Sequence, residues 1–300
     1  MTRFAKYAWI TLGYNFLVVL WGAFVRATGS GAGCGEHWPT CNGEVIPRSE
    51  DIETLIEFTH RLTSGLALIM TVALVVLACR IFPTGHRVRR AAWTTLAFMI
   101  AEALLGAGLV IFGLVANNDS VARVVVMCMH LINTLALLGF MALTAWWAER
   151  PGQINLHQPT AKLLAAALLG LFCVGVTGAI AALGDTLFPA QSLAEGLAAD
   201  LDPTSHFLVR LRGLHPIFAL LVSFSIMAMS NRLRSSAPAC TTMSKILVIL
   251  LGAQIAVGFI NLGLLAPVYL QLIHLLMADA VWVAFILMSA VALETEAEAV

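Results

Sequence analysis

The sequence predicts an all-α, polytopic membrane protein whose eight transmembrane helices form two tandem four-helix bundles, related by a pseudo-twofold axis along the membrane normal. The 300-residue chain is 60% hydrophobic and only 11% charged, whereas a soluble domain is nearer half apolar and a quarter charged. Apolar runs of about eighteen residues or more, long enough to cross a bilayer, recur along it. The second half also repeats features of the first.

The apolar runs locate the helices in chain order. They are predicted at about residues 7–27, 53–80, 90–114, 122–148, 161–184, 207–231, 243–263 and 266–291. Segments 1–150 and 151–300 each receive four of them, and we expect these segments to be the N-terminal and C-terminal bundles.

The charged residues are segregated between opposite sets of loops. Most of the 17 lysines and arginines lie at the N-terminus and in the connections after the second, fourth and sixth helices. Most acidic residues lie in the other connections, which include the long loops 28–52 and 185–206. The positive-inside rule therefore predicts a multi-pass protein of the cell membrane, with both termini in the cytoplasm and both long loops on the outer face.

The repeat is visible in glycines and polar residues that precede histidines. In each half a glycine is followed by a first membrane histidine. Further along, a polar residue and a glycine four positions after it are followed by a second membrane histidine. These residues are Gly22, His60, Glu102, Gly106 and His130 in the first half, and Gly178, His215, Gln254, Gly258 and His274 in the second. Because each repeat has an even number of helices, both would share one orientation in the membrane.

The four membrane histidines lie at matching depth, about 11 Å from the outer end of each helix at 1.5 Å per residue. Facing histidines in a helical bundle can ligate a heme iron from both sides. One such histidine could simply hydrogen-bond a neighbouring helix. Four in a repeat instead predict that His60, His130, His215 and His274 are metal or heme ligands.

The residue three positions before the first histidine differs between the halves, being Glu57 in the first and Arg212 in the second. An arginine there suits a heme propionate, whereas a carboxylate could accept or donate protons. Glu57 also fits a capping box with Thr54 at a helix start, and both roles stay open. The asymmetry predicts that one half holds a permanent cofactor and the other performs the chemistry.

Cys34 and Cys41 share the first outer loop. In an oxidising compartment they would form a disulfide, which could be a static staple or a redox-active pair. A metal site that includes His37 is a third option, although a closed zinc site needs a fourth ligand. Glu102 and Asp279 lie within helices, where partnered polar residues are the default and a proton path is an alternative.

Several motifs closely resemble the heme A synthase family. Gly22-Ala-Phe-Val-Arg-Ala-Thr-Gly-Ser-Gly, Cys34 with Trp38-Pro-x-Cys41-Asn-Gly, and Glu57-Phe-Thr-His60-Arg61 resemble its first half. Arg212-Gly-Leu-His215-Pro and Gln271-Leu-Ile-His274 resemble its second half. The resemblance covers essentially all eight helices. It implies an oxidoreductase that oxidises a methyl group of heme O to a formyl group by successive hydroxylations, making heme A for terminal oxidases.

The resemblance also implies a division of roles. His215 and His274 would ligate heme b, with Arg212 beside them. His60 and His130 would face the substrate heme O, with Glu57 and His60 as the catalytic residues. Implied partners are a heme O synthase that delivers the substrate, an unidentified electron acceptor and the lipid bilayer. A homo-oligomer is one option, and no nucleic acid is expected.

The chain departs from some family members in one loop. Those members have a second cysteine pair in the later outer loop, where this chain has Gly184-Asp-Thr-Leu-Phe-Pro.

A cytochrome b-like, diheme quinone oxidoreductase is the rival hypothesis. Four membrane histidines would fit it equally well. The Glu57/Arg212 difference, the one-sided cysteine pair and the placement of all four ligands near one face count against it.

Overall fold

The computed structural model of the chain is almost entirely helical and describes residues 1–48, 50–150, 152–236 and 238–295. Ser49 of the predicted loop 28–52 lies outside the described residues, as do Pro151, Ala237 and residues 296–300 of the predicted segment 151–300.

The α-helices of the described residues are α1 (Arg3–Ala27), α2 (Ile52–Ile81), α3 (Arg87–Ile111), α4 (Val121–Trp147), α5 (Pro159–Leu187), α6 (Leu193–Leu201), α7 (Phe207–Arg212), α8 (Leu214–Ser236), α9 (Thr241–Gly263) and α10 (Val268–Leu293). Two short strands, β1 (Gln153–Ile154) and β2 (Glu294–Thr295), pair antiparallel.

Eight helical stretches of the described residues are long and apolar enough to span a membrane, with α7 and α8 together forming one of them. Each corresponds to one predicted helix. The prediction of an all-α, polytopic membrane protein is therefore confirmed. The twofold axis and the division into two bundles remain predictions.

Helix α6 was not predicted, because residues 185–206 were assigned to a loop. The Ser192 hydroxyl accepts a hydrogen bond from the Glu195 amide at 3.2 Å, and the Glu195 carboxylate accepts one from the Gln191 amide at 3.0 Å. Serine followed three residues later by glutamate is a helix-start pattern. The sequence thus carried a local signal for this helix.

The predicted helix 207–231 is broken between Arg212 and Leu214. Pro216 explains the break, since proline has no amide hydrogen for the carbonyl four residues earlier and its ring clashes with that carbonyl. The interruption falls directly before His215.

The two halves of the chain pack through a shared core centred on α4 and α10. Its buried residues include Leu12, Leu138, Met141, Trp282 and Leu287. The indole of Trp282 donates a hydrogen bond to the Leu135 carbonyl oxygen at 2.7 Å. An unpaired polar group in a membrane interior is costly, so this bond stabilises the packing of α10 against α4.

The two ends of the helical bundle differ. At the terminal end, the N-terminal amine lies 3.4 Å from the Glu149 carboxylate, and Arg87 lies 3.8 Å from Glu294. The opposite end carries the Cys34–Cys41 loop, and we call it the disulfide end. The four helices that carry the membrane histidines all start from the disulfide end.

Candidate functional site

His215 of α8 and His274 of α10 face each other, with ring centres 6.3 Å apart and ring planes at 85°. Each ring packs on a glycine of an adjacent helix. A Cβ atom at Gly178 would come within 3.0 Å of His215, and one at Gly258 within 3.1 Å of His274. A Cβ atom at either position would be in tight contact with the ring, so Gly178 and Gly258 have a steric explanation.

This spacing fits one metal ion between the two imidazoles. Two metal–nitrogen bonds of about 2 Å each, together with the distance from each nitrogen to the centre of its own ring, would separate the ring centres by about 6 Å. The Nδ1 atom of His274 is buried and has no hydrogen-bond partner among the described residues. Orphaned buried polar atoms are rare, and ligation would satisfy this one. The pair therefore fits the bis-histidine ligation of a heme iron.

His60 of α2 and His130 of α4 form the corresponding pair in the first half. A Cβ atom at Gly22 would lie 3.0 Å from the His60 ring, and one at Gly106 would lie 3.8 Å from the His130 ring. The two histidines are close enough to interact electrostatically. The Nδ1 atom of His60 is buried without a hydrogen-bond partner in the described part of the chain. This pair therefore also fits a bound heme.

Glu102 of α3 lies beside His130, with a carboxylate oxygen 3.6 Å from Nδ1. The Thr134 hydroxyl donates to the carboxylate oxygen that faces His130, and Asn133 donates to the other oxygen at 2.5 Å. In the second half Gln254 occupies the equivalent place, with its amide nitrogen 3.4 Å from Nε2 of His274. Each histidine pair thus has a third-helix neighbour, acidic in the first half and neutral in the second. The sequence contained this repeat but did not reveal the contact.

Glu57 is buried, and its carboxylate holds the disulfide loop. One oxygen accepts a hydrogen bond from the Cys34 amide at 2.8 Å, and the other pairs with the Arg61 guanidinium. The predicted capping box is wrong, since Asp51 is the N-cap residue of α2 and the Thr54 hydroxyl donates to the Gly33 carbonyl at 2.7 Å. Helix α2 starts one turn earlier than the capping box requires.

Arg61 was missed as a site residue, although it lies one helical turn after Glu57. Its guanidinium donates to the carbonyl oxygens of His37 and Thr40, each at 2.6 Å. Arg61 and Glu57 together hold the disulfide loop against α2, directly beside His60.

Cys34 and Cys41 form the predicted disulfide. Because their two sulfur atoms are bonded to each other, Cys34 and Cys41 do not form the alternative metal site with His37. No cluster of three or more metal-binding side chains occurs within the described ranges.

Arg212 is enclosed by acidic and carbonyl partners. Its Nε donates to Asp200 at 2.6 Å, and one terminal nitrogen lies 3.2 Å from Asp185. The same side chain donates to the carbonyl oxygens of Phe188 and Gly196. The contact between Arg212 and a heme propionate stays a prediction.

Asp279 is 1% exposed within α10, and one of its carboxylate oxygens has no hydrogen-bond partner among the described residues. Neither histidine pair contacts it through a described hydrogen bond, so we assign it no role in the site.

The disulfide yields a direct prediction. In protein isolated without reductant, Cys34 and Cys41 should resist alkylation, and reduction should make both reactive. Mass analysis of the peptides before and after reduction measures this, with the Cys34→Ala/Cys41→Ala variant as control. Alkylation of either residue before reduction would contradict the prediction. Since the disulfide closes a short loop, the variant should lose about 2–3 kcal/mol of stability.

Residues 5–286 match the sequence profile of the COX15-CtaA family, described as cytochrome oxidase assembly protein. Two proteins of Thermus thermophilus, each named protoheme IX farnesyltransferase, are 51% and 50% identical to the chain over 304 residues. That alignment covers 100% of this chain and 50% of each relative, so the chain spans half the length of these relatives.

A protein of Bacillus mycoides named heme A synthase is 42% identical over 114 residues, which is 38% of this chain and 37% of the relative. One of Bacillus cereus with the same name is 41% identical over the same length. The profile match, by contrast, extends from α1 into α10 and includes both histidine pairs. The chain therefore belongs to the COX15-CtaA family of cytochrome oxidase assembly proteins.

Proposed function

We propose that this protein is a heme A synthase, an oxidoreductase that oxidises a methyl group of heme O to a formyl group. The observation that carries the proposal is the contrast between its two histidine pairs. Glu57 and Glu102 accompany the first pair, whereas Arg212 and Gln254 accompany the second. Oxidation of a C–H bond releases protons, and carboxylates can accept them.

The relatives support this proposal from two directions. The Bacillus relatives carry the name heme A synthase. The Thermus relatives are twice as long as the part that matches this chain, and their farnesyltransferase name would belong to the remaining part. Farnesylation of protoheme yields heme O, so the reaction that supplies the substrate would reside in the same polypeptide there. In this protein we expect a separate or attached heme O synthase to deliver heme O.

In this proposal His215 and His274 hold heme b, and His60 and His130 hold heme O as substrate. Heme b, when bound, supplies a one-electron acceptor inside the protein. Each histidine pair would hold one heme through imidazole nitrogens, while Gly22, Gly178 and Gly258 leave space for the rings of His60, His215 and His274. In this proposal water supplies the oxygen atom, so one methyl group and one water molecule give the formyl group with release of protons and electrons, and the electrons leave through an acceptor outside this chain.

The chain's own chemistry centres on Glu57. Glu57 is 3% exposed and lies one helical turn before His60, so bulk water has little access to its carboxylate. Arg61 holds the carboxylate in place through an ion pair. We propose that Glu57 accepts protons released from the substrate methyl group, and that Arg61 acts as a positioning residue.

The proposed location is the cell membrane, with both termini in the cytoplasm and the disulfide end outside. Segregation of basic residues supports this orientation. The disulfide supports it as well, since disulfides persist in oxidising compartments. Both histidine pairs would then lie near the outer face.

Co-expression with a heme O synthase tests the function. Heme extraction followed by mass analysis should show heme A in cells that contain both proteins, and heme O without heme A in cells that contain the heme O synthase alone. Heme b as the only heme bound to the purified protein, with no heme A produced, would instead support the diheme electron carrier. The placement of all four histidine ligands toward one end disfavours that carrier, because electron transfer across the bilayer needs hemes near both faces.

Glu102→Gln should lower heme A production by about tenfold to a hundredfold, as loss of a partner behind a metal ligand does. The substitution makes the neighbour of His130 resemble the neighbour of His274. Heme b content should be unchanged, which the absorbance spectrum of the purified protein measures.

Gln254→Leu is the matched control for Glu102→Gln, because it removes the equivalent neighbour in the second half. It should alter the spectrum of heme b. Normal heme A production by Glu102→Gln would show that the carboxylate charge beside His130 is not needed.

A further inference from the structure

Arg26, at the disulfide end of α1, reaches out of the first half and contacts two helices of the second. One terminal nitrogen donates to the Ala182 carbonyl at 2.7 Å and to the Thr186 hydroxyl at 2.8 Å, both on α5. The other donates to the Gln271 side-chain oxygen on α10 at 3.0 Å. The guanidinium therefore bridges α5 and α10.

These contacts place Arg26 over the second-half histidine pair. Ala182 lies four residues beyond Gly178, the glycine under the His215 ring. Gln271 lies three residues before His274 in α10. Both steps are about one helical turn, or roughly 5 Å, toward the disulfide end. Arg26 thus lies one turn above both histidines, on the side of that end.

The guanidinium has hydrogen-bond partners but no paired counterion. Its three acceptors are neutral, and no carboxylate of the described residues lies within ion-pair distance of it. Asp185 does influence Arg26 electrostatically, but its carboxylate is engaged by Arg212 at 3.2 Å. Arg123, which donates to the carbonyls of Ala116 and Asn118, adds a second positive charge nearby.

A charged group inside a membrane protein is costly unless it is paired. Excess positive charge above the His215/His274 pair therefore indicates a site for an anionic ligand. The repeat strengthens this inference, because the residue at the equivalent position of the second half, four residues after the glycine, is Ala182. The first half thus supplies an arginine at a position where the second half has an alanine.

We propose that Arg26 binds a propionate carboxylate of the heme held by His215 and His274. Arginine presents a planar, always charged fork that suits carboxylates. The first half would thereby complete the cofactor site of the second, and the two halves would depend on each other for heme retention. This inference rests on the proposed function, which assigns heme b to that histidine pair.

The test compares Arg26→Gln, Arg26→Lys and the unaltered protein, purified from cells that make heme b. Arg26→Gln should retain about tenfold to a hundredfold less heme b when challenged with a heme scavenger, the effect expected for loss of a charge-assisted hydrogen bond. The midpoint potential of the remaining heme should fall, because a nearby positive charge favours the reduced iron. Arg26→Lys keeps the charge, so its heme b retention and midpoint potential should lie between those of Arg26→Gln and the unaltered protein.

Arg210→Gln is the matched control, since Arg210 is an exposed arginine on α7 near the same end. It should leave both heme retention and midpoint potential unchanged. Equal effects of Arg26→Gln and Arg210→Gln would overturn the proposal, because they would reflect net charge alone.

A second measurement changes the ligand and leaves the protein intact. Cells unable to make heme are fed either heme b or its dimethyl ester, which lacks propionate charge. The unaltered protein should retain the free acid more strongly than the ester, and Arg26→Gln should lose this preference. Equal retention of both by the unaltered protein would overturn the proposal even if Arg26→Gln does not fold.

His215→Ala separates this inference from the proposed function. Loss of heme b in His215→Ala, with normal heme b and potential in Arg26→Gln, would refute only the role of Arg26. Retention of heme b in His215→Ala would refute the cofactor assignment itself.

Discussion

Replacing His215 or His274 with alanine is expected to yield a folded protein that has lost nearly all of its heme b. Each substitution removes one of two histidines whose ring centres lie 6.3 Å apart, and in the proposed site a single imidazole would hold heme far more weakly than two. The heme-to-protein ratio of the purified variants, measured from absorbance, is the readout. Heme A production should fall to background in the same cells.

His60→Ala and His130→Ala should behave differently. They lie in the first-half pair, so heme b should stay bound while heme A production is abolished. His157→Ala is a suitable control, because His157 is an exposed loop histidine far from both pairs along the chain. If first-half variants lost heme b and second-half variants kept it, the assignment of cofactor and substrate sites would be reversed.

Glu57→Gln is expected to slow oxidation of heme O by about a hundredfold to ten-thousandfold, the usual contribution of a positioned acid or base. Glutamine keeps an oxygen that can accept the Cys34 amide hydrogen, and Arg61 keeps its contacts with the His37 and Thr40 carbonyls. The fold and the bound heme b should therefore persist. Heme O or a hydroxylated intermediate should accumulate, which heme extraction and mass analysis would detect.

Glu57 also anchors the disulfide loop, so a control must separate anchoring from proton transfer. Arg61→Gln removes the same ion pair but leaves the carboxylate, and Cys34→Ala/Cys41→Ala loosens the same loop. If anchoring were the only role of Glu57, all three variants would lose product to the same extent. We expect Glu57→Gln to lose at least tenfold more than either control, as follows from the size of an acid–base contribution.

The connection between loop and site has a mechanistic consequence. The Cys34 amide, the Glu57 carboxylate and the Arg61 guanidinium form one chain of contacts. A change in the loop, such as reduction of the disulfide or binding of a partner, would reach the carboxylate through a single hydrogen bond. The disulfide loop is therefore placed to affect the Glu57 carboxylate.

The sequence by itself determined the membrane spans, because a run of apolar residues long enough to cross a bilayer must form a helix to satisfy its backbone. It also determined the depth of the four membrane histidines in their helices and the placement of the cysteine pair in one loop. The histidine positions repeat along the chain, and the two cysteines share one loop. Neither helix depth nor proximity within one loop depends on how the helices pack. Two local predictions were wrong. The capping box is absent because α2 starts earlier than predicted, and helix 207–231 is interrupted because of Pro216.

Only the tertiary structure decided which polar groups meet. Glu57 binds the Cys34 amide, Glu102 approaches His130 from another helix, and Arg26 crosses from the first half to the second. Such contacts depend on the rotation and tilt of each helix, which are set by packing against neighbours. In a chain rich in apolar side chains on every helix face, hydrophobic periodicity does not specify that rotation. The contacts of the few polar residues reveal that rotation only once the helices are assembled.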